Sequence, residues 1–284
     1  MKILIIQEKS RHSGNVEFRE SFNLQRALAR KGVTALVWGL GHSNFSIPFE
    51  QIVSDCDVIL LLENYDQSGW VPELSKYKNK LKLFWSIDSH CAFNAHVHTC
   101  DKNNIDILLH SINYDREKFK KYIKRTEFFP NAYPRDIIYP MNIEKTIDVG
   151  FCGNVNNRGY FIQGLCITPD VMKIGQDMVR CINSYNIHWN RNIAHDINYR
   201  TFETLGCKTF LLTNETDVLS TLFDVGKHLV TYDNLEDCFE KIEYYLTHDD
   251  ERESIANAGY EHVINNHSYD NRADLLLNII NGEI

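Results

Sequence analysis

Along the first half of the chain, apolar residues come in short continuous runs separated by amphipathic segments. KILIIQ, VTALVWGL, CDVILLLE, LKLFWSI and IDILLHSI are each dense in Val, Ile and Leu, with little polar alternation. Runs of this kind predict strands of a parallel sheet covered on both faces. The intervening stretch EFRESFNLQRALARKG predicts a helix that ends at Gly32, and DREKFKKYIKR predicts a charged surface helix. FFPNAYPRDIIYPMN then carries Pro130, Pro134 and Pro140, three of the 6 prolines, and predicts a linker.

The pattern restarts in the second half. TIDVGFCGN predicts a strand entering a Gly- and Asn-rich loop, followed by a short strand in SYNIHWN. A helix in INYRTFETLG comes next, then strands in KTFLLTN and KHLVTYD. The remainder reads as helix: LEDCFEKIEYYLTHD, ERESIANAGYEHVINNH and YDNRADLLLNIIN. In the last segment Leu275, Leu276, Ile279 and Ile280 recur at helical spacing, an apolar stripe that must be covered. The expected fold is α/β, with two Rossmann-like domains facing a cleft. Residues 1–140 form the first domain and 141–267 the second. Residues 268–284 form a helix that packs back on the first. In such an architecture, ligands bind at the carboxyl ends of the strands.

Composition narrows the function classes. A formal charge of -8 argues against a protein that coats nucleic acid indiscriminately, which needs a broad basic face. The opening run MKILIIQ is too short for a membrane helix or a signal sequence core, and no other run is long enough to span a bilayer. The 8 cysteines are scattered singly without a CxxC pair. Together these features lead to the expectation of a cytoplasmic protein with reduced thiols and no stable membrane insertion.

Candidate chemistry concentrates at loops that follow strands. The loop after the first strand contains Gly14 but no GxGxxG, so a nicotinamide or flavin fingerprint is absent, although Gly14 still lets a ligand approach the backbone. In GFCGNVNNRG, Gly153 follows a strand and Arg158 lies five residues later. Amides at the start of the next helix, with that guanidinium, suit a diphosphate. In HDINYRTFETLGCKTFLLTN a helix beginning near Asn198 places Glu203 one turn beyond Tyr199. A glutamate so placed can accept ribose hydroxyls, and Arg200 in the first turn can face phosphates. The same letters also fit an exposed carboxylate and arginine. Asp88 and His90 follow the strand LKLFWSI and are expected at the edge of the ligand site.

No metal site is expected. His96 and Cys100 share a helical face that His98 does not, and a structural zinc site needs four converging ligands. The triplet Asp55-Cys56-Asp57 precedes its strand, which is the wrong edge of a sheet for a metal-binding DxD.

The run NYRTFETLGCKTFLLTN and the helical segment behind it resemble the carboxyl-terminal domain of GT-B glycosyltransferases, above all the CgeB-like (spore maturation protein) group. The likeness rests on Asn198 and Arg200 before Phe202-Glu203, the small-residue turn at Gly206, the strand end Leu212-Thr213, and His267-Ser268-Tyr269 with Arg272. GFCGNVNNRG resembles the Gly-Phe-x-Gly strand and loop of that family. The likeness is specific over residues 195–280, and over 1–140 it is architectural. Many GT-B enzymes carry a second glutamate eight positions before the ribose-binding one, where this chain has His195 and then Asp196.

The resemblance implies a glycosyltransferase that takes its sugar from a nucleoside diphosphate, with a UDP-sugar the expected donor and no cofactor or metal. It further implies retention of anomeric configuration, catalytic roles for His195, Arg200, Asp88 and His90, and donor contacts from Gly14, Gly153, Arg158, Asn198, Tyr199, Arg200 and Glu203. Glycan, protein, small molecule and modified DNA base all stay open as acceptors. A sugar-nucleotide epimerase of the same fold and a non-catalytic sugar-nucleotide-binding module are the alternatives.

Overall fold

The computed structural model describes residues 1–66 and 68–283. The chain divides into two compact units, Met1–Pro130 with Tyr269–Ile284, and Asn131–Ser268. The first boundary thus falls ten residues before the position that the prolines suggest. The reason is packing, because Tyr133 takes a backbone bond from its own N–H to the His267 carbonyl and its ring lies against Gly206. A Cβ at Gly206 would meet that ring at 2.3 Å, so only glycine fits there.

Unit 1 holds a six-stranded parallel sheet: β1 (Lys2–Ile6), β2 (Thr34–Trp38), β3 (Val58–Leu62), β4 (Leu81–Ser86), β5 (Ile107–His110) and β6 (Thr126–Phe128). Its order is β2-β1-β3-β4-β5-β6. All five residues of β3 are buried, the signature of a strand covered on both faces. Among its helices, α1 (Glu20–Arg30) starts later than its pattern suggests, because Ser13–Phe18 forms a separate 3-10 turn and Arg19 is extended. Helix α2 (Phe49–Ser54) and helix α3 (Ser89–Asn103) follow. The charged segment expected as a surface helix yields only α4 (Arg116–Phe119). Phe119 and Ile123 go into the core, which ends the regular turn and leads directly into β6.

Unit 2 has a four-stranded parallel sheet of order β10-β9-β8-β7. Its strands are β7 (Ile147–Gly150), β8 (Tyr185–Trp189), β9 (Phe210–Asn214) and β10 (Val230–Tyr232). Its helices are α5 (Gly159–Gly164), α6 (Gln176–Asn183), α7 (Tyr199–Gly206), α8 (Leu219–Leu222), α9 (Leu235–Thr247) and α10 (Asp249–Asn266). Asn234 caps α9 by accepting from the Glu236 and Asp237 amides.

The last helix, α11 (Tyr269–Asn281), belongs to unit 1, where it packs on α1. Tyr269, Ala273, Leu276 and Ile279 form its buried stripe, while Leu275 and Ile280 are half-buried at the margin. Arg30 pairs with Asp270 at 2.7 Å and Lys31 with Asp274 at 2.7 Å. Buried Arg272 donates from Nε to the Pro130 carbonyl at 2.8 Å, and burial lowers its pKa to about 10.

Candidate functional site

In unit 2 the carboxyl ends of the strands collect three arginines. Arg158 precedes α5 and is only 8% exposed. Its Nε and Nη2 donate to the Arg191 carbonyl at 3.1 and 2.7 Å, and Nη1 donates to the carbonyls of Asn154 and Asn156 at 3.1 and 3.2 Å. These bonds use four of its five N–H groups. Its guanidinium lies 5.6 Å from the Phe151 ring, and that of Arg191 lies 4.5 Å from the Phe161 ring. Among the described residues no carboxylate pairs with Arg158 or Arg191. Burial, then the neighbouring charge of Arg200, lowers the Arg158 pKa.

Arg200, in the first turn of α7, donates from Nε to the Cys152 carbonyl at 2.6 Å and pairs through Nη1 with Glu203. Burial works against its charge, but Glu203 outweighs this and raises the pKa above the ordinary arginine value. Gly153 has φ +156°, and a Cβ there would stand 3.3 Å from the Phe151 ring and 3.7 Å from Arg200 Nε. Glycine therefore leaves open the face of the loop that Arg200 reaches.

A layer of polar bonds holds this surface in place. Asn198, the residue before α7, exchanges side-chain bonds with Asn190 at 3.2 and 3.3 Å, and its own N–H donates to Asn192 Oδ1 at 3.1 Å. Because its side chain is occupied there, it makes no capping bond to the first-turn amides of α7. Asn190 and Asn192 also donate to Thr213 Oγ1, at 3.0 and 3.3 Å. Beneath them His188 is a fully buried hub. The Cys152 N–H donates to its Nε2 at 3.3 Å, which leaves Nδ1 to donate to Thr204 Oγ1 at 2.6 Å. Thr204 in turn donates to the Arg200 carbonyl at 2.5 Å. Burial, with Arg200 nearby, lowers the His188 pKa to about 3 and keeps the ring neutral.

His195 lies in the loop before α7 and pairs with Asp217 at 2.7 Å. Tyr199 opens α7 and is half-buried. The structure therefore gathers Gly153, Arg158, Asn198, Tyr199, Arg200 and Glu203 at one end of one sheet. The sequence pattern does not point to Arg191, Asn190, Asn192 or His188, whereas Thr213 belongs to the strand end that carries the resemblance. Their signal was the pair of Asn-rich strand ends, HWNRN and LLTN, which lie side by side once β8 and β9 pair.

Unit 1 presents a different set at its strand ends. Gly14 lies exposed in the 3-10 turn Ser13–Phe18. Asp88 precedes α3 and is half-buried, with His90 exposed two residues on. Burial, then the charge of Glu63, raises the Asp88 pKa. Glu63, at the end of β3, was not singled out by sequence. Its Oε2 accepts from the amides of Ile87 and Asp88 at 2.8 and 2.7 Å and meets His96 Nε2 at 3.4 Å. His96 Nδ1 lies 2.8 Å from Ser86 Oγ, so this histidine closes a polar bridge between α3 and the ends of β3 and β4. At the end of β1, Arg19 is shared by Glu8 at 3.2 Å and Glu20 at 3.5 Å. The Asp55 and Asp57 carboxylates sit before β3 and pair with Lys2 and the amino terminus, at the opposite edge of the sheet.

Comparison with known proteins agrees with this architecture. Residues 169–278 match the profile of a glycosyl transferase-like family. No curated protein matches the chain. Among solved structures, a glycosyltransferase from Rickettsia africae is 13% identical with a TM-score of 0.67, over 98% of this chain and 97% of that one. Anabaena HepE in complex with UDP-glucose is 10% identical with a TM-score of 0.70, over 99% of this chain and 100% of that one. An alpha-glucosyltransferase in complex with UDP-glucose and DNA containing an abasic site is 12% identical with a TM-score of 0.67, over 99% of each chain. At these identities the likeness shows the fold, which is that of GT-B glycosyltransferases. Among the described residues no helix is long and apolar enough to cross a membrane.

Proposed function

We propose that this chain is a glycosyltransferase that transfers a sugar from a UDP-sugar to an acceptor nucleophile, without a metal ion and with retention of configuration. One observation carries the reading: Arg158 and Arg191 are cations at the ends of parallel strands, paired with carbonyls and aromatic faces and, among the described residues, with no carboxylate. A buried guanidinium without a counter-charge is costly, and an anionic ligand relieves that cost. A diphosphate fits, because its charge grows as the sugar leaves, and fixed guanidinium and helix-amide donors stabilise that growth without reorganising. The uncapped first turn of α7 adds such donors.

In this account Arg158 shapes the loop and keeps one N–H for the ligand, while Arg191 and Arg200 supply charge. Glu203 takes the ribose hydroxyls when Arg200 turns toward the phosphates. His195, half-exposed beside Asp217, serves the transferred sugar. Asp88 and His90 belong to the acceptor side, and Gly14 is a donor contact. The match of residues 169–278 to a glycosyl transferase-like family, and the UDP-glucose bound by structural neighbours, support the donor class. Membership of the CgeB-like group is part of the same proposal.

The test is a product assay with UDP-sugars and mixed acceptors, run with and without excess EDTA. Sugar transfer at an unchanged rate in EDTA is the expected result. Turnover lost in EDTA and restored by magnesium or manganese would overturn the metal-free mechanism, and an epimerised nucleotide as sole product would overturn the transferase.

A further inference from the structure

Unit 1 contains a pocket of ≈ 260 Å³ between the end of β3 and helix α3, lined in part by Leu62, Glu63, Phe84, Ala95, His96 and Lys102. Glu63 stands in its wall with a side chain 14% exposed. All three of its partners, the amides of Ile87 and Asp88 and the His96 ring, meet the same oxygen, Oε2. The other oxygen, Oε1, takes no partner among the described residues, and it is not among the polar atoms sealed from solvent without a bond. The pocket therefore presents one open carboxylate oxygen, already fixed in direction by three bonds to its neighbour.

We propose that this pocket binds a neutral, hydroxyl-bearing ligand, a single sugar ring or short polyol, through a hydrogen bond from its hydroxyl to Glu63 Oε1. An ionised carboxylate only accepts, so the ligand must donate. Burial alone would favour the protonated acid, but His96 and the two amides outweigh it and hold the Glu63 pKa below the ordinary glutamate value. A phosphate or carboxylate brought to Oε1 would meet like charge at the point of contact; elsewhere in the lining Asp66 adds to that repulsion and Lys102 offsets it. Val71 and Ala92, both half-buried, provide apolar wall against which a ring's C–H face packs. The volume lies below the roughly 300–1,000 Å³ of drug-sized sites and suits one ring. The transferase reading is needed only to identify this ligand as the acceptor, in which case the acceptor is a saccharide or polyol and not a polyanion.

The experiment titrates the intact protein with glucose, galactose, N-acetylglucosamine and myo-inositol, and in parallel with glucose 6-phosphate and a short single-stranded DNA, observed by ligand-detected NMR. At least one neutral probe binds and the two anions do not. Glu63→Gln weakens that binding at least tenfold, while UDP affinity stays unchanged. Because Glu63→Gln also touches the loop before α3, Ala95→Trp serves as a second variant. It fills the pocket from the exposed face of α3 and also abolishes binding. Anions that bind as well as the neutral probes, neutral probes that bind equally to Ala95→Trp, or no neutral probe binding at all would each overturn the proposal. UDP titration is read separately, so a failed donor site and a failed pocket give different results.

Discussion

The two sheets share a plan yet carry opposite charges at their carboxyl ends. Each is fully parallel, built from continuous apolar strands. In unit 1 the ends of β1, β3 and β4 present Glu8, Glu20, Glu63 and Asp88, relieved by Arg19 and His96. In unit 2 the ends of β7 and β8 present Arg158, Arg191 and Arg200, of which Arg200 pairs with Glu203. Burial acts on both sets: it raises the pKa of Glu8 and Asp88 and lowers that of Arg158. The fold supplies the same type of crevice twice, and the charge placed there assigns the role. In the proposed reading one end takes an anion and the other a ligand that donates hydrogen bonds.

The largest effect is expected from removing the helix that completes unit 1. A chain ending at Ser268 loses the burial of Tyr269, Ala273, Leu276 and Ile279 against α1. At roughly 1.5–3 kcal/mol per large apolar side chain, that loss is comparable to a domain's whole stability. Thermal melting should lose the cooperative transition of unit 1, and a melting temperature equal to that of the full chain would show that the stripe contributes little.

Acid comes next, and it acts on one buried histidine in each unit. The pKa of His188 in unit 2 is lowered to about 3 and that of His110 in unit 1 to about 4, in both cases chiefly by burial. A histidine depressed in the folded state contributes stability above its unfolded pKa near 6.5, and that stability drains away as pH falls toward the folded value. Each should cost roughly 2 kcal/mol by about pH 5. At neutral pH the two differ. His188→Phe orphans the Cys152 amide and costs about 1–3 kcal/mol, whereas both ring nitrogens of His110 lack hydrogen-bond partners among the described residues, so His110→Phe should cost under about 1 kcal/mol. Urea titrations of both variants at two pH values measure this, and equal costs at neutral pH would contradict the described bonding.

A smaller and more local effect is expected at Glu203. Glu203→Gln keeps the shape but loses the charge that pairs with Arg200, and UDP binding should weaken by about 1–3 kcal/mol while the fold stays intact. Calorimetry that finds UDP bound as tightly as in the parent would place the ribose elsewhere.

Much of this architecture is legible in the letters. Strands such as VILLL at β3 and FLLTN at β9 are continuous apolar runs, and α7 begins directly after Asn198. The return of α11 to unit 1 follows from its apolar stripe, although Tyr269 and Ala273, not Leu275 and Ile280, join Leu276 and Ile279 on the buried face. The local misreadings have local causes. Helix α1 is delayed because Arg19 is drawn toward Glu8 and Glu20, and α4 is cut short because Phe119 and Ile123 turn inward. The sites were less legible because they depend on register. Asn190, Asn192 and Thr213 meet only when β8 pairs with β9, and Glu63 reads as the polar end of a strand until His96 and the Asp88 amide close on it. Sequence gives no sign that four of Arg158's five N–H groups are spent on loop carbonyls.

The opposition between the two strand ends is tested most directly by titrating UDP into three proteins by calorimetry: the parent, Arg200→Ala and Glu63→Gln. The account predicts that UDP binds the parent and that Arg200→Ala weakens it roughly ten- to hundredfold, the loss of one charge-assisted contact of about 1.5–3 kcal/mol. It predicts no change in Glu63→Gln. UDP bound equally by the parent and Arg200→Ala, or weakened by the change at Glu63 instead, would contradict it.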